Sequence, residues 1–269
     1  MSHQEPQREV AVAEERGRLF GLRQRLYGAA TERMLAAAHL RPGDEVLDIA
    51  AGTGDQSRAA ARLVAPGGSV LATDISPEML EIAARQTREE GVRNVTFRAM
   101  DAEQLDLPDN RCDAAISRLG LMLIPQRHRA LAEIRRVLKP GGRLASLVWS
   151  ARERSPLFTV YVDFVKRLAP EEMRADPFSL ADEGLFADAL RTAGFREVQV
   201  RPVAITFHFS SFEELRRWWG TPFEGALATL ETQEERQRAL EDVGHVVQSY
   251  EGPEGIISPA ELLLGEGMK

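Results

Sequence analysis

Between residues 43 and 142, short apolar runs alternate with amphipathic stretches. The runs fall at 45–49, 69–73, 95–99, 114–117 and 143–149. Between them, 59–64, 77–90 and 127–138 place apolar residues at three- and four-residue spacing, the period of a helix with one buried face. Pro66-Gly67-Gly68, Pro108-Asp109-Asn110 and Pro140-Gly141-Gly142 mark joins between elements. Short apolar strands separated by helices predict a five-strand parallel core covered by helices.

The flanks are less regular. Ahead of the core, 9–27 and 29–39 read as two helices, the second closed by Arg41-Pro42-Gly43. Behind it, 156–168 and 180–193 read as helices, the latter stopped by Gly194. A strand follows at 197–209, interrupted by Pro202, and then a mostly helical stretch at 211–250. The apolar run 260–264 is expected to return as a last strand at the sheet edge, which makes 211–250 an insertion placed to cap the sheet's carboxyl end. The expected division is N-terminal helices over the site at 1–40, a main domain at 41–210 plus 251–269, and a helical cap at 211–250.

Composition narrows the partners. The chain has 269 residues, 43% hydrophobic and 28% charged, enough for a full core. Its formal charge of -7 argues against binding a nucleic-acid backbone, and arginine pairs such as Arg135–Arg136 have acidic neighbours. The one cysteine, Cys112, stands in an apolar strand and reads as a buried structural thiol, so a cytoplasmic setting is the default expectation. No run has the length of a membrane span, and no His, Cys and carboxylate cluster has metal-ligand spacing, so no metal is expected. Oligomeric state is left open.

Candidate chemistry gathers where strands end. The first strand runs into Ala50-Ala51-Gly52-Thr53-Gly54, where Gly52 and Gly54 let the backbone turn sharply and approach a ligand. The helix that follows would aim its free N–H groups at the same place. Alone, such a turn is equally a plain strand-to-helix connection. The second strand ends at Asp74, placed to accept hydrogen bonds from two ribose hydroxyls; Ser76, with Pro77 next, fits the competing role of helix cap better. The third strand leads to Asp101 and Ala102, a carboxylate and a backbone amide suited to an adenine edge, although Asp101 is also readable as a bare loop aspartate.

These features, with the stretches Cys112-Asp113-Ala114-Ala115-Ile116-Ser117 and 136–144, resemble class I S-adenosylmethionine-dependent methyltransferases. The similarity is greatest to the ubiquinone/menaquinone-biosynthesis C-methyltransferases and their small-molecule relatives, and it covers about 41–150. It implies an α/β, Rossmann-like fold with a mostly parallel seven-stranded sheet, an antiparallel last strand and a helical cap. It also implies S-adenosyl-L-methionine as cofactor, S-adenosyl-L-homocysteine as its product, and a small-molecule acceptor. By the same resemblance Ala50, Gly52, Thr53 and Gly54 form the cofactor loop, with Thr53 beside the methionine part. Asp74 holds the ribose, Ile75 and Met79 pack on the adenine, Asp101 and Ala102 take its edge, and Ser117 closes the site near the sulfonium. The Pro-Gly-Gly turn at 140–142 is assigned a structural role, ending a helix and launching the fifth strand.

Two features depart from the quinone enzymes, the insertion 211–250 and the stretch 118–122, so their acceptor is not carried over. His208 and His245 are the histidines to test as bases, and Arg118 the cation to test as anchor for an acidic acceptor, each with surface or structural placement as the alternative. Trp218, Trp219 and Phe223 offer an apolar acceptor wall or packing within the cap. Two other readings stay open: a cofactor-binding scaffold or regulator without catalysis, and a nicotinamide-dependent oxidoreductase. The second wants a third small residue where Ser57 stands.

Overall fold

The computed structural model describes residues 10, 12–15, 17–173 and 175–269; part of the first expected helix lies outside the described residues. Five strands run parallel: β1 (Glu45–Ile49), β2 (Ser69–Asp74), β3 (Val95–Ala99), β4 (Cys112–Arg118) and β5 (Leu138–Trp149). Leu47 pairs with Leu71 on one side and Ala115 on the other. In β1 and β4 nearly every position is buried, as in a sheet covered on both faces, whereas β3 at one edge is half-exposed. The buried Cys112 thiol is pushed up to about 11 by desolvation, which fits a structural role.

The intervening helices are α1 (Phe20–Ala37), α2 (Asp55–Val64), α3 (Pro77–Glu89) and α4 (Arg127–Val137). α1 lies beside α2 and crosses β4, β5 and the strands beyond. It runs through Gly28, where the two expected helices were divided, and the turn at Leu19 separates it from the described helical residues before it. A mid-helix glycine costs only about 1 kcal/mol, and Leu26, Tyr27, Ala30 and Thr31 around it are all buried.

After β5 come α5 (Pro156–Leu168), α6 (Glu183–Thr192) and the long strand β6 (Arg196–Phe209). Pro202 does not interrupt β6, because β6 is an edge strand, where a missing N–H is tolerated. The stretch 211–250 forms α7 (Phe212–Trp219), α8 (Thr221–Ala228) and α9 (Gln233–Gln248). Their starts are encoded locally: the Ser211 hydroxyl accepts from the Glu214 N–H, and Thr232 with Glu235 forms a capping box. A two-residue strand, β7 (Glu251–Gly252), turns into β8 (Gly255–Met268).

The last strand is not at the edge. The order is β3-β2-β1-β4-β5-β8-β6, with β8 antiparallel to both neighbours and β7 making the sheet eight-stranded. Burial explains the placement: positions 262–267 are buried in succession, which an edge strand with one solvent side cannot provide. The 140–142 turn likewise lies inside β5, as an irregularity of its pairing with β4, and does not precede the strand.

Strand order reverses between β1 and β4, so the crossovers diverge there and leave a crevice beyond their carboxyl ends. Ahead of α1, helical residues 12–15 and 17–18 reach into this region and are tied to neighbouring elements. Ala13 packs against Met79 and Ile82 of α3, and Glu14 pairs with Arg85 at 3.0 Å. The Glu15 carboxylate accepts from the Thr221 N–H at 2.8 Å and from its hydroxyl. Arg25 pairs with Glu214 of α7 at 2.7 Å.

Candidate active site

The loop after β1 bends through left-handed conformations at Ala50 (φ 54), Gly52 (φ 56) and Gly54 (φ 75). A Cβ on Gly52 would meet nothing within 4 Å, so its bare backbone faces open space. The Gly52 N–H donates to Asp74 Oδ2 at 2.8 Å, and the Ser76 N–H to Asp74 Oδ1 at 3.0 Å. One carboxylate thus joins the loops after β1 and β2. Ser76 caps α3, accepting from the Met79 N–H at 3.3 Å. The Met100 N–H donates to the Asp74 carbonyl at 3.0 Å, which brings the loop after β3 alongside.

Beneath the loop lies Asp48, fully buried in β1. Ser57 donates to its Oδ2, and Gln56 Nε2 donates to its Oδ1 at 3.2 Å and to the Ala51 carbonyl at 3.4 Å. Burial pushes the Asp48 carboxyl up to about 7, against the opposing pull of those two hydrogen bonds and the Arg118 charge. Ser57, which stood where a dinucleotide fold wants a smaller residue, is the partner of this buried acid.

At the end of β4, Ser117 is fully buried and its hydroxyl has no hydrogen-bond partner; the same holds for the hydroxyl of Thr53, 1% exposed. A Cβ at Gly120 would come within 2.5 Å of Ala50 Cβ and 3.0 Å of Ser117 Oγ, so glycine there lets the β4 and β1 loops meet. Arg118 does not project as a free anchor. Its guanidinium pairs with Asp55 at the start of α2, Nη1 donates to Thr31 Oγ1 at 2.8 Å, and the group lies 5.6 Å over the Tyr27 ring. Burial would raise the Asp55 carboxyl, but the charges of Arg118 and Arg23 outweigh it and hold the group well below the usual carboxylate range. Asp55 and Arg118 line a cavity of about 360 Å³ between α1 and α2, together with Phe20, Leu35 and Arg58.

Tyr27 links this pair to an aromatic wall. Its ring meets Trp149 and Phe207 edge-on at 6.3 and 5.7 Å, Trp149 stacks on Phe158 at 3.9 Å, and Trp218 closes on Phe207 at 4.9 Å. Of the three aromatic residues singled out in the insertion, only Trp218 joins this wall. Trp219 and Phe223 pack on each other, with Phe223 stacked on Phe164 of α5, and so hold the insertion to the body.

Ala50, Gly52, Thr53, Gly54, Asp74 and Ser117 therefore converge on the crevice. Met79 is buried against Ala13 and Ile82 beneath the N-terminal residues. Ile75 is 75% exposed at the rim. Asp101 is exposed and accepts from the Glu103 N–H at 2.8 Å, with Ala102 half-buried beside it. His208 and His245 are both exposed, the first bonded to the Glu254 carbonyl of the β7–β8 turn. Asp48 and Asp55 are the polar residues missed from the sequence. The signal for Asp48 was a carboxylate enclosed by Leu47 and Ile49; Asp55 had none beyond its place after Gly54.

A family model described as a methyltransferase domain matches residues 46–142. The ubiquinone/menaquinone biosynthesis C-methyltransferase of Bordetella avium is 37% identical over 181 residues, 61% of this chain and 69% of that protein. Its counterpart from Pseudomonas paraeruginosa is 41% identical over 132 residues, 49% of this chain and 52% of that protein, so the chain spans about half the length of several of the curated relatives it matches. Among solved structures, a SAM-dependent methyltransferase from Aquifex aeolicus is 25% identical with a TM-score of 0.54, covering 68% of this chain and 86% of that one.

Proposed function

We infer that this chain, which belongs to the S-adenosylmethionine-dependent methyltransferases and has their Rossmann-like fold, transfers a methyl group from S-adenosylmethionine to a small organic acceptor. The observation that carries the reading is the joined loop: Gly52 tied to Asp74 beside open space, with the buried Thr53 and Ser117 hydroxyls lacking partners around it. Buried hydroxyls without partners are costly unless a ligand supplies them, so the residues present fit this cofactor.

When bound, S-adenosylmethionine supplies a methyl carbon made electrophilic by its sulfonium. The chain's contribution is placement. Asp74 would hold the ribose hydroxyls, Thr53 and Ser117 would stand beside the methionine part, and Ile75, Met79, Asp101 and Ala102 would flank the adenine. Acceleration then comes from aligning the acceptor and excluding water. The N-terminal helical region within 1–40 and the insertion 211–250 serve as the covers over a main domain of 41–210 plus 251–269. With His208 and His245 exposed and Arg118 paired, the reading assigns no general base, and the acceptor brings its own nucleophile. Phe158 and Trp218, the half-buried members of this aromatic cluster, favour an acceptor with a planar apolar part. No described helix is long and apolar enough to cross a membrane, and a cytoplasmic setting agrees with the single, buried cysteine.

Calorimetric titration tests the reading. S-adenosylhomocysteine should bind and NAD should not; binding of NAD alone would overturn it. Transfer of label from the methyl-labelled donor into a panel of small aromatic metabolites then separates catalysis from mere binding.

A further inference from the structure

Arg58 of α2 is the largest fully buried side chain among the described residues. Taking a guanidinium out of water is costly, so its partners show what the burial secures. Nη1 donates to the Thr53 carbonyl at 2.9 Å. The N–H of the next residue, Gly54, donates to the Ala51 carbonyl at 3.0 Å, so both polar groups of the Thr53–Gly54 peptide are held. A Cβ on Gly54 would come within 3.0 Å of Ala83 Cβ and 3.4 Å of Arg58 Nη1, so the turn rests directly on the guanidinium. This peptide belongs to the residue whose buried hydroxyl lacks a partner, and it follows Gly52, whose own N–H is held by Asp74.

The other edges of the guanidinium meet α3 and the N-terminal residues. Nη2 donates to Gln86 Oε1 at 3.4 Å, and Gln86 Nε2 donates in turn to the Gly17 carbonyl at 2.8 Å. The Phe20 ring lies 4.7 Å from the guanidinium carbon. A Cβ at Gly17 would come within 2.7 Å of Ile82 Cγ2, so glycine there lets the segment lie against α3. Glu90 Oε1 sits 2.8 Å from Nε as an ion pair, without the alignment of a hydrogen bond, and also holds Arg62. Pairing with Glu90 alone would not call for burial. Only a planar group with donors in several directions reaches Thr53, Gln86 and Glu90 at once.

We propose that Arg58 is a positioning residue of the donor site, which fixes the Thr53–Gly54 peptide and makes the seating of residues 17–20 part of the same contact. It touches neither donor nor acceptor and acts through Thr53. The loop then keeps its binding geometry only while the N-terminal residues are docked. Donor binding holds those residues down in return, because coupling between two sites is reciprocal. The proposal rests on the methyltransferase reading. A residue that merely packed α2 against α3 would use the Ala83 and Glu90 contacts and would have no need of the Thr53 carbonyl or of the link to Gly17.

The test combines calorimetry with S-adenosylhomocysteine and amide exchange of the full chain with and without that ligand. In the wild type, saturating S-adenosylhomocysteine should slow exchange in residues 17–20 by about 10-fold, within the usual range of coupling between sites. Arg58→Met keeps the buried bulk and removes the donors. It should bind S-adenosylhomocysteine at least about 5-fold more weakly and, at saturation, lose more than about half of that protection. A smaller loss of affinity, or protection kept above that level, overturns the proposal; a residue that only packs α2 on α3 would lower the melting temperature and leave both readouts in place. Should Arg58→Met fail to fold by circular dichroism, Gln86→Leu takes its place, since it cuts the link to Gly17 and leaves the Thr53 contact. It should remove more than about half of the ligand-dependent protection at 17–20, and a smaller change overturns the proposal. A wild-type chain that binds no S-adenosylhomocysteine removes the methyltransferase reading itself, whereas binding with no slowing of exchange at 17–20 removes only this assignment.

Discussion

Asp74 holds two backbone amides from different loops, so its removal acts on the ligand and on the loop together. Asp74→Ala is expected to weaken S-adenosylhomocysteine by roughly 10- to 100-fold in calorimetry, the range for charged hydrogen bonds; full retained affinity would refute the ribose assignment. Asp48 makes a different prediction, in pH. Its folded form holds a proton up to about pH 7, while the unfolded group releases it near the ordinary carboxyl value of 3.8. Between those values the folded state binds more protons, so this residue's contribution to stability falls as pH rises and is flat above about 7. Asp48→Asn stays neutral throughout. Urea unfolding across pH 4 to 8 should show the stability difference moving in the variant's favour up to about pH 7; parallel curves would contradict the buried acid. Asp74 was legible in the sequence as a carboxylate ending an apolar run, and the positions of Thr53 and Ser117 at strand ends through the family resemblance. Asp55 was not, because the partner that gives it meaning lies 63 residues away.

Among elements, the N-terminal helical residues are held by single side chains at defined points, and Glu15 at the start of α8 is the sharpest of them. An N-terminal cap of this kind contributes about 1 kcal/mol, so Glu15→Ala should speed amide exchange about five-fold in residues 12–19 and at the α8 N-terminus. Exchange unchanged in both segments would mean the contact does not hold the N-terminal residues to α8. Helix periodicity located α2 to α6 with only boundary shifts. It failed at α1, where Gly28 suggested a break that the buried residues around it override. The insertion was legible as helical, but the division of labour between Trp218 and Trp219 was not, since adjacent residues on a helix point in different directions and only packing decides which meets Phe207 and which meets Phe223.

For the whole molecule, the five parallel strands could be read from their apolar runs, but the order in which the later strands join the sheet could not. The run 260–264 fits an edge or an interior position equally well until its neighbours are known. Lying between β5 and β6, β8 leaves both without a partner if it is removed. Deletion of 255–269 should therefore abolish cooperative unfolding and near-ultraviolet circular dichroism, and not merely lower stability. A truncated chain that still melts in one sharp transition would show that β5 and β6 close without it.

The placement of β8 also orders events during synthesis. The glycine loop, Asp74 and Ser117 leave the ribosome early, yet β6 and the 211–250 helices that follow it have no seat on the sheet until residues 255–268 have emerged and paired on both sides. A nascent or prematurely released chain thus carries every recognisable residue of the loop but exposes the unpaired margin of β5, a surface that chaperones and proteases read as unfinished. The residues of the loop are thus made well before the strand on which β6 and the 211–250 helices depend for their place on the sheet.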